Sequence, residues 1–86
     1  MPPVTIYTTS LCPYCLRAKT LLKSKGVAFE EIDVGYDDVA RRRMVARALG
    51  RRSVPQIFVG ATHVGGSDDL HALEAQGGLD RLLATA

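Results

Sequence analysis

The sequence predicts an α/β fold: a four-stranded mixed sheet with helices on both faces, in the order β-α-β-α-β-β-α. Three observations carry this. Two short runs rich in β-branched and aromatic residues, Val4-Thr5-Ile6-Tyr7-Thr8 and Gln56-Ile57-Phe58-Val59-Gly60, have the composition of strands. Two segments of helical periodicity lie between them and stop near Gly26 and Gly50. A strand–helix–strand unit at the start should be parallel and right-handed, whereas two strands that follow each other closely pair as an antiparallel hairpin.

The first strand is Val4 to Thr8. After Cys12-Pro13-Tyr14-Cys15, the residues Leu16, Ala18, Leu21 and Leu22 supply the apolar face of a helix, while Arg17, Lys19 and Lys23 can reach solvent. Lys25-Gly26 ends it, with a cation in the last turn and glycine after. Phe29 to Val34 form the second strand, with imperfect alternation because Glu30 shares a face with Ile32 and Val34. Asp37 and Asp38 cap a second helix whose buried stripe is Val45, Ala48 and Leu49, closed by Gly50. Pro55 precedes the third strand, and Thr62-His63-Val64 make the fourth. Ser67-Asp68-Asp69-Leu70 opens a third helix with a capping hydroxyl and two carboxylates in its first turn. Gly77-Gly78 interrupts it, and Leu79 to Ala84 add one last helical turn or two.

The chemistry lies in Leu11-Cys12-Pro13-Tyr14-Cys15-Leu16, which holds the only two cysteines. At this spacing both sulfurs fall on one face of a first helical turn, close enough for a small disulfide ring. Pro13 suits the first helical position, where its missing N–H would have had no partner. Cys12 then meets the unpaired N–H groups and the positive end of the helix dipole, which favour a thiolate. A thiolate beside a second thiol is a device for disulfide exchange. The competing readings are half a zinc site and buried apolar filler. Zinc would need four ligands, and His63 and His71 are distant and not at finger-like spacing. Filler leaves unexplained a Pro and a Tyr enclosed by two cysteines at a strand-to-helix junction.

A length of 86 residues makes one domain, 1–86, whose core is adequate but thin. A hydrophobic fraction of 47% argues against disorder. Two cysteines cannot form a secreted disulfide framework, the start Met1-Pro2-Pro3-Val4 lacks signal-peptide regions, and no run approaches a membrane span. The expectation is a soluble, cytoplasmic monomer. The net charge of +2 is too small to suggest nucleic-acid binding. Six of the eleven basic residues nevertheless fall together, at Arg41, Arg42, Arg43, Arg47, Arg51 and Arg52. They form either a solvated helix face or a rim that attracts an anionic thiol substrate. No aromatic residues interleave with them, which disfavours stacking on single strands.

Cys12-Pro13-Tyr14-Cys15, Ser53-Val54-Pro55 and Gly65-Gly66-Ser67-Asp68, in this order and spacing, resemble a glutaredoxin. The similarity is to the small bacterial dithiol members, of the thioredoxin-like fold, and runs from Ile6-Tyr7 through Gly77-Gly78-Leu79. The resemblance implies glutathione-dependent reduction of protein disulfides and glutathione mixed disulfides. Cys12 and Cys15 would be the catalytic pair and the redox-active disulfide, glutathione the co-substrate, and no metal or organic cofactor would be bound. Pro55 falls at the family's cis-proline, which would set the Val54 backbone beside the Cys12 sulfur. Glutathione would meet Tyr14, Ser53, Val54, Pro55, Gly66, the Ser67 N–H and the Asp68 carboxylate, with Arg42 on its glycine carboxylate. Disulfide-containing or glutathionylated proteins, ribonucleotide reductase among the family's candidates, would be the partners. Thr9 departs from the pattern, since many members carry lysine there, and Ser67 stands where some have an extra cysteine. Two alternatives share the fold: an electron carrier fed by thioredoxin reductase, and a glutathione-ligated [2Fe–2S] module, for which Pro13 makes a stiff loop.

Overall fold

A computed structural model describes residues 1–85. The elements are β1 (Val4–Thr8), α1 (Pro13–Ser24), β2 (Glu30–Asp33), α2 (Asp38–Arg47), β3 (Gln56–Val59), β4 (Thr62–Gly65), α3 (Ser67–Ala75) and α4 (Gly78–Leu83). The four strands form one sheet in the order β2-β1-β3-β4. The β1–β2 pair is parallel across the α1 crossover, β1–β3 is antiparallel, and β3–β4 is an antiparallel hairpin. Among the described residues, no helix is long and apolar enough to cross a membrane.

The alternation along β1 and β3 divides the core between the two sheet faces. Val4, Ile6, Ile57 and Val59 pack with Ala18 and Leu22 of α1, Leu70 of α3, and Leu79 and Leu83 of α4. Tyr7 and Phe58 point the other way and pack with Val34, Met44 and Ala48. Covered on both faces, β3 is buried along its whole length. Lys25 joins the helices of the first face: its ammonium group lies 2.7 Å from Glu74 and 2.8 Å from Asp80.

Three sequence expectations are corrected. The second strand is shorter than Phe29 to Val34, and Glu30 is exposed, because β2 is an edge strand and that position lies at its mouth. The buried stripe of α2 is Met44 and Ala48, whereas Leu49 is 89% exposed. Leu49 occupies the left-handed position after the helix cap, with φ 56°, and the Gly50 N–H reaches back to the Val45 carbonyl at 2.9 Å. This helix-ending turn swings Leu49 off the helical stripe. Ser67 is the first helical residue of α3 rather than its cap; the Asp69 carboxylate accepts the Gly66 N–H at 2.9 Å instead. The interruption expected at Gly77-Gly78 is present: Gly77, with φ 73°, separates the short helix α4 from α3.

Candidate active site

The parallel β1–β2 pair and the α1 between them bring the cysteine motif to the carboxyl end of β1, where open α/β sheets hold their sites. Cys12 is the N-cap of α1, with extended backbone, and Pro13 takes the first helical position. The two cysteines are joined as a disulfide, with Cα atoms 5.2 Å apart. The Cys15 N–H points at the Cys12 sulfur at 3.1 Å, and no carboxylate occupies the first turn of α1 to oppose negative charge there. Reduction would leave the Cys12 sulfur facing this backbone donor. The two sulfurs differ in access: Cys12 is half-buried, whereas Cys15 is only 1% exposed.

A loop 42 residues away completes the site. The Cys12 Sγ lies 4.0 Å from the Val54 carbonyl oxygen, and the Val54–Pro55 bond is cis. Beside it is a groove of about 180 Å³ lined by Tyr14, Arg51, the Ser53–Pro55 loop and the residues from Gly66 to Asp69. Seven of the residues expected from sequence to bind a substrate thus share one groove beside the disulfide: Tyr14, Ser53, Val54, Pro55, Gly66, Ser67 and Asp68. Gly65, one residue earlier, has φ 116°, and a Cβ there would run into the Asp69 carboxylate. Only glycine allows that turn.

Arg42 is not in this groove. It is exposed on α2 and lines a separate depression with Asp38, Arg41, Val45, Ala46 and Arg52. The arginine cluster divides into distinct jobs. Arg47 sits with its guanidinium carbon 4.0 Å from the Phe58 ring centroid and donates to the Tyr7 hydroxyl at 2.9 Å. Arg41 donates to the Arg52 carbonyl at 3.1 Å. Arg51 enters the groove and pairs with Asp69 at 3.1 Å.

Sequence reasoning missed Arg51 and Asp69 as parts of the site, because each looked like one member of a longer charge run. The Gly66 N–H, and after it Arg51, hold the Asp69 carboxyl below its ordinary range. It also missed a cleft on the other side of the disulfide, where Lys19 and Glu31 pair at 2.9 Å beside Cys12 and Cys15. The buried Thr8 hydroxyl donates to the same Glu31 oxygen at 2.8 Å, and Lys19, then Thr8, keep that carboxyl below its usual range.

Comparison with known proteins agrees with this geometry. A family model described as Glutaredoxin matches residues 4–64. A glutaredoxin of Pseudomonas aeruginosa is 58% identical over 84 residues, which cover 98% of this chain and 99% of the relative. The solution structure of glutaredoxin from Brucella melitensis has a TM-score of 0.84 at 54% identity, covering 96% of this chain and 89% of that one. The crystal structure of a buckwheat glutaredoxin–glutathione complex has a TM-score of 0.86 at 27% identity, covering 95% of this chain and 76% of that one. A dithiol at a helix N-terminus, a cis-proline loop against its outer sulfur and relatives matched nearly end to end lead to one conclusion: the chain belongs to the glutaredoxin family, whose work is glutathione-dependent thiol–disulfide exchange.

Proposed function

We propose that Cys12 is the nucleophile, that Cys15 resolves, and that the groove between Val54 and Asp68 binds the glutathione moiety. The observation that carries this reading is the place of the Cys12 sulfur, at the N-terminus of α1 and 4.0 Å from the Val54 carbonyl. The Val54 backbone would pair with the cysteine of glutathione as an added strand does. The Ser67 N–H, at the start of α3, suits the γ-glutamyl carboxylate, and Asp68 its ammonium group. Tyr14, which is half-exposed, flanks the tripeptide. Arg42 draws the glycine carboxylate from outside the groove.

With a glutathionylated protein, the Cys12 thiolate attacks the glutathione sulfur, and the protein leaves as a thiolate that takes up a proton. A second glutathione thiolate then attacks the Cys12–glutathione disulfide, releasing oxidised glutathione and the Cys12 thiolate. With a protein disulfide, Cys12 forms a mixed disulfide and frees one substrate thiol. Cys15 then loses its proton and attacks the Cys12 sulfur, which frees the second thiol and leaves Cys12–Cys15 oxidised. Two glutathione molecules reduce that bond by way of Cys12–glutathione.

Glutathionylated and disulfide-bonded proteins of a reducing cytoplasm are the proposed partners, with ribonucleotide reductase as the family's candidate. The deciding assay supplies a small glutathione mixed disulfide and compares two electron sources, glutathione with its reductase and thioredoxin reductase. Turnover with the first alone is expected; turnover with thioredoxin reductase alone would overturn the reading.

A further inference from the structure

We propose that Gln56 and His63 are positioning residues that aim the Val54 N–H into the glutathione groove. The proposal rests on the glutathione reading above and concerns side chains that do not themselves line that groove.

Gln56 is the first residue of β3, and it is completely buried. Its Nε2 lies 3.0 Å from the Ser53 carbonyl oxygen and 3.3 Å from the Ser53 hydroxyl, and its Oε1 lies 2.7 Å from Nε2 of His63. A carbonyl oxygen can only accept a hydrogen bond, so the amide NH2 is the end that faces Ser53. That leaves Oε1, another acceptor, toward His63, whose Nε2 therefore carries the proton. The imidazole is held in turn by stacking on the buried Phe58, at 4.9 Å between centroids. The result is a chain of donors running from His63 to Gln56 to the Ser53 carbonyl.

The Ser53 carbonyl and the Val54 N–H belong to one peptide plane. That bond is trans, the cis bond being the next one along, between Val54 and Pro55. In a trans peptide the C=O and N–H point in opposite directions. With the Ser53 oxygen turned inward to Gln56, the Val54 N–H is turned outward, and it has no partner among the described residues. Val54 itself lines the groove. The brace thus fixes, before any ligand arrives, the donor that a glutathione backbone would use.

The test compares Gln56→Leu and His63→Phe with the parent on a glutathionylated peptide. His63→Phe removes one hydrogen bond of the brace and should raise KM about three- to tenfold with kcat little changed, and Gln56→Leu, which removes every bond Gln56 makes, should raise it at least as much. Reduced Cys12 should keep its alkylation rate with iodoacetamide, a reagent that needs no Val54 contact. The Val54 amide should lose its parent chemical shift and exchange faster in NMR spectra. Merely loosened packing would slow both turnover of the glutathionylated peptide and alkylation, and that pattern would overturn the proposal. So would an unchanged KM in both variants. If Gln56→Leu does not fold, His63→Phe decides, because it removes only the outer donor at a half-buried site. A parent unable to turn over the glutathionylated peptide would instead count against the glutathione reading itself.

Discussion

Arg51 and Asp69, which both line the groove beside Val54, are joined Nη1 to Oδ2 at 3.1 Å, and the same carboxylate oxygen accepts the Gly66 N–H at 2.9 Å. The pair links the loop that carries Val54 to the turn that opens α3. As an exposed ion pair it should add less than about 1 kcal/mol to stability, but it fixes the width of the groove. Arg51→Ala should therefore leave the unfolding midpoint nearly unchanged and raise KM for a glutathionylated peptide about three- to tenfold. Steady-state kinetics beside a urea titration would check this. A large stability loss with unchanged KM would assign the pair to folding alone.

Acid should weaken the fold in two stages. Burial, then the charge of Arg51, lowers the His63 pKa, and Asp69 and Glu31 are also held below their ordinary values. In all three the unfolded chain binds protons more readily than the folded one, so stability rises with pH. The His63 contribution is present above about pH 6.5 and the carboxylate contributions above about pH 4, and each is lost as pH falls through the folded value. Both carboxylates are substantially exposed, which keeps their share modest. Urea midpoints measured from pH 8 to pH 3 should fall through both windows. His63→Phe should remove the upper step alone.

The α2 helix separates what sequence could reveal from what it could not. Strand pairing, helix order and the cysteine motif followed from local pattern, since β-branched runs, a capping cysteine and Pro13 each dictate their own surroundings. Most of the groove was legible through the resemblance. Met44 and Leu49 were not, because the stripe depends on where the helix ends, and a left-handed Leu49 is set by the tertiary path into Gly50 rather than by apolar spacing. Arg51 was hidden for a similar reason: only the folded loop separates it from its five arginine neighbours. Met44→Ala should consequently cost about 2–4 kcal/mol in urea unfolding, while Leu49→Ala should change little.

Asp68 and Arg42 should differ in kind. Asp68 lines the groove; if it is the proposed partner of the ligand's ammonium group, Asp68→Ala should raise KM about five- to thirtyfold. Arg42 lines a different depression and is solvent-exposed, so on the proposed reading it would act on the glycine carboxylate from a distance. Arg42→Ala should raise KM less, and its deficit should vanish in concentrated salt, where exposed charges are screened within a few ångströms. A salt-insensitive Arg42 effect as large as that of Asp68 would place the arginine in direct contact with the ligand.

The unequal burial of the two sulfurs makes their roles separable. Cys12 caps α1 at the surface, while Cys15 lies one turn inside and almost wholly out of solvent. In the reduced protein, iodoacetamide should modify Cys12 at neutral pH much faster than Cys15, read by mass spectrometry. Cys12→Ser should abolish activity on every substrate, because no other nucleophile sits at the helix N-terminus. Cys15→Ser should still remove glutathione from a glutathionylated peptide, since a second glutathione can attack the Cys12 mixed disulfide from the groove side. The same variant should fail on a protein disulfide, where the covalently held substrate can be released quickly only by a thiol already inside the site. Activity that survives in Cys12→Ser and disappears in Cys15→Ser would reverse the assigned roles.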